Sequence, residues 1–217
     1  MNQVFGPGDQ VVLATHNPDK VAEIKELLAS YEITVLSAGD LGLPEPEETG
    51  TTFKENAELK ARLAAEATGH PALADDSGIE VAALDGAPGV YSADWSGPSK
   101  DFTGAMKRVH DEVQKRGRWY KPGPIANFNA TLALAWTDGN INFFVGKVYG
   151  HLVWPPRGAE GFGYDPFFRP EGHSRTFGEM TKSEKSNWQG NGAEALSHRA
   201  RALRQFVESC VYPASQS

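Results

Sequence analysis

Two adjacent carboxylates, Asp75 and Asp76, follow a short apolar run, Pro71-Ala72-Leu73-Ala74, that reads as a buried strand stopping at the acid pair. Ser77 and Gly78 come next, then a second apolar run broken by the turn signals Asp85-Gly86 and Pro88-Gly89. Two like charges side by side repel each other and lose solvation. A divalent cation with oxygen ligands would relieve that cost, and a loop with both acids in water would avoid it. Upstream, Glu45, Glu47 and Glu48 crowd the Pro-rich stretch LGLPEPEETG, a solvated acidic loop or a further supply of metal oxygens. Cations stand where a helix dipole disfavours them. Lys20 lies in the first turn of a helix opened by Asn17-Pro18, and His198 and Arg199 lie in the first turns of the last helix. A phosphate bound at such an N-terminus would reverse the sign of that penalty, whereas a snorkelling Lys20 would simply reach water. Thr15, His16 and Asn17 add polar donors at the same strand-to-helix turn. The pattern is compatible with a phosphate cradle, though it lacks the Gly-rich P-loop. Lys60 and Lys185 are further candidate cations.

The elements that must hold these groups can be read along the chain. Val11 to Thr15 is a short buried strand, and Val21, Ile24 and Leu28 give the following helix its apolar stripe to about Ser30. Asn17 serves as N-cap with Pro18 at the first helical position. Ile33 to Leu36 is a second strand. Thr52-Phe53-Lys54-Glu55 is a capping box that opens a long Ala-rich helix to about Thr68, with Asn56 and Lys60 four apart on one face. A helix from about Lys100 to Arg116 carries Phe102, Met106, Val109 and Val113 as its core stripe. Phe128–Trp136 and Ile141–Tyr149 are long strands joined at Asp138-Gly139, a strong hairpin signal. The segment WPPRGAEGFGYDPFFRP cannot be regular helix, and Phe162, Tyr164, Phe167 and Phe168 either pack inward or line a pocket where a planar base would stack. Thr176 to Lys185 reads as a short helical segment, the polar stretch 187–192 as an insertion, and the last helix as Glu194 to Val211. Leu196, Ala200, Leu203, Val207 and Cys210 form its buried face.

At 217 residues, 40% hydrophobic and 23% charged, the chain fits one sizeable globular domain. A net charge of −7 argues against a general nucleic-acid or membrane-surface binder, so an anionic ligand needs locally placed cations. Cys210 is the single cysteine, which excludes an intrachain disulfide and reads as a buried structural thiol. No apolar run is long enough to span a membrane and no secretion signal opens the chain, so the expected compartment is the cytoplasm. Acids for a hard metal, cations at helix starts and an aromatic loop together fit a nucleotide polyphosphate site.

Six ordered motifs also carry a resemblance: THNPDK (Thr15–Lys20), ETGTTFKENA (Glu48–Ala57), ADDSG (Ala74–Gly78), GAPGVYSA (Gly86–Ala93), GFGYDP (Gly161–Pro166) and SHR (Ser197–Arg199). In content and spacing the chain resembles the inosine triphosphate pyrophosphatase family from about Val11 to Val207. The resemblance implies a mixed, twisted α/β sheet with flanking helices in two lobes and an active-site cleft between them, usually as a homodimer. The expected organisation is one such domain over residues 1–217 with loose tails at 1–10 and 212–217. It implies Mg²⁺-dependent hydrolysis of deaminated purine triphosphates (ITP, dITP, XTP) to the monophosphate and pyrophosphate. Carried over, Thr15, His16, Asn17 and Lys20 hold phosphate; Lys60, a candidate cation, is counted with the substrate-binding residues. Glu48 ligates the metal, with Glu47 as the alternative. Asp76 is the catalytic base and a metal ligand with Asp75 in support, and Ser77 contacts substrate. Phe162, Gly163, Tyr164 and Asp165 form the base pocket, and Lys185, His198 and Arg199 complete nucleotide binding. Two departures stand out. Asp94 occupies a position where the family usually has arginine, and the stretch from Lys185 to Ser197 is longer than usual. The rival readings are a phosphohydrolase that releases orthophosphate through a covalent aspartyl intermediate, and a nucleotide-binding module without turnover.

Overall fold

The computed structural model describes residues 3–186 and 195–212. The polar stretch 187–192, the expected helix start at Glu194 and the tail from 213 lie outside the described residues.

Among the described residues six strands form one mixed sheet in the order β2-β1-β3-β4-β5-β6. They are β1 (Gln10–Leu13), β2 (Thr34–Ser37), β3 (Ala72–Val81), β4 (Ile125–Ala135), β5 (Ile141–Leu152) and β6 (Phe168–Pro170). β1 runs parallel to β2, with Val11 opposite Val35, and parallel to β3, with Leu13 opposite Leu73. β6 pairs antiparallel with β5, His151 facing Arg169. The helices are α1 (Pro18–Leu28), α2 (Phe53–Thr68), α3 (Phe102–Lys115), α4 (Lys182–Ser186) and α5 (His198–Cys210). The hairpin at Asp138-Gly139 forms as the sequence predicts, closed by Trp136 N–H on the Asn140 carbonyl at 2.9 Å and by Gly139 at a φ of +89° that favours glycine.

β3 is longer than its apolar start suggests. It does not stop at Asp75 but runs on to Val81. Neighbouring strand residues point to opposite faces, so Asp75 and Asp76 separate, and each finds its own lysine. Further along the same strand Ile79 and Val81 are fully buried.

The chain divides into two compact units, one of Met1–Asp76, Thr131–Val145 and Ala202–Ser217, the other of Ser77–Ala130 and Gly146–Arg201. In the first, the Ala-rich face of α2 (Ala57, Ala61, Ala64, Ala65) packs on Val12, Ala72, Ala74, Ala133 and Ala135. Small residues on both sides let the helix backbone approach the strands closely, which brings the two polar residues on α2 down to β3. The loose start expected for residues 1–10 does not hold at Phe5. Its ring is 2% exposed and stacks on Trp136 at 4.9 Å, and its N–H donates to the Cys210 carbonyl at 2.7 Å. Cys210 itself is the buried thiol expected, and burial pushes its pKa up to about 11. In the second unit, Met106, Val109 and Val113 of α3 pack with Ile79, Val81, Phe128, Val148, Leu152, Phe167, Phe168 and Phe177. Ala105 joins the expected stripe of α3 as a fully buried residue, and Phe102 packs against the same core while only partly buried.

Candidate active site

The first unit gathers the acids and lysines around α2. The capping box forms: Glu55 N–H donates to Thr52 Oγ1 at 3.2 Å, and Glu55 Oε2 accepts from the N–H groups of Thr51 and Thr52 at 2.8 and 3.0 Å. This clamps the acidic loop onto the start of the helix. One turn along, Lys60 Nζ donates to Glu48 Oε1 at 2.6 Å, to the Asp75 carbonyl at 3.0 Å and to Asp76 Oδ1 at 3.2 Å. Asn56 Nδ2 reaches the other oxygen of Asp76 at 3.4 Å. Asp75 turns away to Lys20, whose Nζ lies 3.0 Å from Asp75 Oδ2. Lys20 therefore does not snorkel to water; it is held on a buried carboxylate.

The electrostatics of this cluster are unequal. Burial works against the Lys60 ammonium, yet Asp76, Glu48 and Asp75 outweigh it and hold its pKa above the ordinary lysine value. Asp76 sees one favourable cation and two neighbouring acids. Burial is the largest influence on it; Lys60 pulls its pKa down while Glu48 and Asp75 push it up, and the outcome is a carboxyl raised to about 6. A lysine shared among three acids gains from all of them, whereas each acid gains from only part of one lysine.

The expected phosphate cradle is partly used for local structure. Asn17 Oδ1 accepts the Lys20 N–H at 3.3 Å, which makes it the cap of α1, and Thr15 Oγ1 accepts the Asn17 N–H at 3.2 Å. His16 Nε2 meets the Leu43 carbonyl at 2.7 Å, tying this turn to the loop that leads towards Glu48. The four acids expected to bind metal do not converge. Glu48 and Asp76 meet at Lys60, Asp75 faces Lys20, and Glu47 is exposed. Among the described residues no group of three or more His, Cys, Asp or Glu is assembled to hold a metal ion.

The second unit gathers the aromatic and cationic candidates. Lys185 Nζ lies 2.9 Å from Asp165 Oδ2, and the Phe162 N–H donates to the same oxygen at 3.2 Å. Burial raises the Asp165 pKa above its ordinary value against the pull of Lys185. A Cβ on Gly161 would collide with this carboxylate, so the turn requires glycine there. The Ser197 N–H donates to the Lys185 carbonyl at 2.7 Å, so Ser197 stands beside the lysine held on Asp165. Arg199 is 2% exposed, with Nη2 3.4 Å from Ser77 Oγ and its guanidinium 5.9 Å from the Phe162 ring. His198 stacks on Phe128 at 4.9 Å with an interplanar angle of 11°.

The aromatic loop splits in two. Phe162 is 48% exposed, while Phe167 and Phe168 are fully buried. Tyr164, expected in a base pocket, belongs to the core instead. Its hydroxyl donates to the Ser92 carbonyl at 3.0 Å, its ring meets Phe102 edge-on, and burial raises its pKa. Its large ring supplies more stability inside than it could at a partly wet wall. Asp94 opens a short 3₁₀ turn to Ser96 and is exposed, but the next residue, Trp95, carries the Arg108 guanidinium 3.9 Å above its ring.

The Ham1 family model matches residues 11–209. The chain belongs to the Ham1 family. It is 55% identical over 204 residues to the dITP/XTP pyrophosphatase of Bradyrhizobium diazoefficiens, covering 94% of this chain and 96% of that protein. It is 50% identical to the dITP/XTP pyrophosphatase of Agrobacterium fabrum, covering 93% and 95%. A HAM1 protein from Coxiella burnetii has the same fold, with a TM-score of 0.82, 38% identity and coverage of 92% of this chain and 97% of that one. The mixed sheet with flanking helices expected from the motifs is thus the Ham1 fold. Within this Ham1 chain, one candidate was not singled out as a site residue in the sequence: Asn56. Its spacing of four from Lys60 was the available signal, and only the contact with Asp76 gives that spacing a role.

Proposed function

We propose that this chain hydrolyses deaminated purine nucleoside triphosphates (ITP, dITP and XTP) to the monophosphate and pyrophosphate, with Mg²⁺, as a homodimeric house-cleaning enzyme of the cytoplasmic nucleotide pool. Its relatives at 50–55% identity are named dITP/XTP pyrophosphatase, which supports the substrate class. The observation that carries the chemistry is Asp76. It is a buried carboxyl raised to about 6, with one oxygen on Lys60 and the other on Asn56. A base with that pKa is ionised at neutral pH and still accepts a proton readily.

The donor set suits magnesium, which takes one or two carboxylates and completes its shell with water and substrate phosphate oxygens. Glu48 and Asp76 already converge on a positive charge, the Lys60 ammonium, 2.6 and 3.2 Å away. Glu48 and Asp76 would hold the ion, and when bound it neutralises charge on the phosphates. Asp76 orients a water towards the α-phosphorus and takes its proton. The water oxygen bonds to phosphorus as the bond to the bridging oxygen breaks, and pyrophosphate leaves. Lys20 and Lys60 bind the phosphate oxygens, Lys20 exchanging its contact with Asp75 for one with substrate. Phe162 offers its exposed face to the base. His198 or Arg199 donates to the purine O6, a donor that adenine would leave unpaired at a cost of a few kcal/mol. Asp165 holds Lys185 rather than the base.

Incubating the protein with a panel of triphosphates, with and without Mg²⁺, tests the reading. IMP and pyrophosphate from ITP, dependent on Mg²⁺, are expected. Orthophosphate with IDP would replace it by the stepwise phosphohydrolase. Unchanged ITP at stoichiometric protein would leave a binding module.

A further inference from the structure

A buried asparagine inside an alanine-lined helix face is unfavourable unless its amide is used. Asparagine is a poor helix former, and desolvating an amide without partners costs free energy. Asn56 is 2% exposed on α2, beside Ala57 and one turn before Ala61, on the helix that packs against the sheet. Both ends of its amide are engaged. Oδ1 accepts the Gly50 N–H at 2.8 Å, and Nδ2 points to Asp76 Oδ2 at 3.4 Å.

The Gly50 contact is built into the loop backbone. A Cβ on Gly50 would lie 2.5 Å from Asn56 Oδ1 and 2.6 Å from Glu55 Cβ, so only glycine lets the loop come this close. Thr51 and Thr52 are tied by their N–H groups to Glu55 Oε2 at 2.8 and 3.0 Å. Three consecutive residues directly after Glu48 and Thr49 are thus fastened to the first turn of α2. Lys60 completes the arrangement one turn later by holding Glu48 and the other Asp76 oxygen.

We propose that Asn56 is a positioning residue for hydrolysis. Its amide sets the rotation of the Asp76 carboxylate with one end and the backbone of the Glu48 loop with the other, registering both acids to one point on α2. This inference rests on the function proposed above. Lys60 alone fixes one carboxylate oxygen and leaves the group free to turn about its last torsion. The amide on the second oxygen fixes that angle without adding a second positive charge, so a lone pair stays aimed at the attacking water.

Asn56→Asp tests the link. It keeps the shape and the acceptor for the Gly50 N–H but replaces the donor to Asp76 with a second acceptor. The expected loss in kcat is about 100-fold with KM changed by less than about threefold, since misalignment acts on the reacting geometry rather than on substrate binding. Combined with Asp76→Asn, it should cause no further loss beyond Asp76→Asn alone, because it acts through that carboxylate. Wild-type kcat in Asn56→Asp, or fully additive losses in the double variant, would overturn the proposal. Should Asn56→Asp fail to fold by circular dichroism, Gly50→Ala reads the other end. It pushes the loop off Asn56 and should lower kcat about tenfold at unchanged KM, and an unaffected kcat would be equally fatal. A wild-type protein that releases no pyrophosphate would fail the functional reading itself. An active wild type with unaffected variants would fail only the role of Asn56.

Discussion

Two buried Lys–Asp pairs occupy the two units, and their difference separates reactivity from structure. Asp165 and Lys185 form a closed pair: the acid holds the lysine and a turn N–H from Phe162 on the same oxygen, and Arg199 is near enough to lower its pKa further. Asp76 and Lys60 form an open one, in which the lysine is divided among Asp76, Glu48 and the Asp75 carbonyl. Burial raises the pKa of both aspartates. At Asp165 the other influences all lower it, whereas at Asp76 two further acids work in the same direction as burial. A closed pair staples a turn. An open one leaves an acid under tension that a metal ion and phosphate can relieve.

The largest expected effect breaks the two pairs apart. Asp76→Asn should lower kcat for pyrophosphate release from ITP by about 10³-fold, the scale of a lost general base, while the protein stays folded. Asp165→Asn should do the reverse. It leaves Lys185 buried with a neutral partner, which costs about 3 kcal/mol of stability, and kcat should fall by no more than about tenfold. Steady-state kinetics beside chemical denaturation reads both. If Asp165→Asn cost as much turnover as Asp76→Asn, the closed pair would be part of the chemistry and the distinction would fall.

The sequence made the positions of the candidates legible but not their partners. α2 was readable from Thr52 to Thr68 because a capping box and an alanine stripe are local signals, and its face at Asn56 and Lys60 followed from the helical period. β3 was not readable beyond Asp76. Its continuation depends on Lys20 and Lys60, which lie 55 and 16 residues before the acids they neutralise. Glu48 and Glu47 could not be told apart in the sequence, since only the fold shows which one reaches Lys60. The aromatic loop was ambiguous for the same reason. Four aromatic residues in seven positions signal burial or a pocket, and the choice of Tyr164 for the core is made by Phe102 and the Ser92 carbonyl, both distant in sequence.

A smaller effect sharpens the open pair through pH. The folded pKa of Asp76, about 6, lies above its ordinary value of 3.8. An acid raised in this way holds its proton more tightly folded than unfolded. Its contribution to stability is therefore complete below about pH 4 and is lost as pH rises through about 6. Asn at this position does not titrate. Relative to Asp76→Asn, the wild type should lose up to about 3 kcal/mol of stability from pH 4 to pH 8. Thermal unfolding of both proteins across that range measures the difference. A difference that is constant with pH would show that Lys60 balances Asp76 fully and that its pKa is not raised.

The smallest effect concerns the exposed ring in the second unit. Phe162 is 48% exposed and its backbone N–H, not its side chain, supports the closed pair at Asp165. Phe162→Ala should therefore leave the pair and the melting temperature unchanged. Stacking of a base on an aromatic face contributes about 1–3 kcal/mol, so the variant should raise KM for ITP by about fivefold or more at similar kcat. Inorganic triphosphate, which has no base, separates the two ends of the substrate. Its inhibition constant should be the same for wild type and Phe162→Ala, because its binding rests on Lys20 and Lys60. A parallel loss of affinity for inorganic triphosphate would mean that Phe162 shapes the phosphate site, and the division of labour drawn from the two lysine pairs would have to be redrawn.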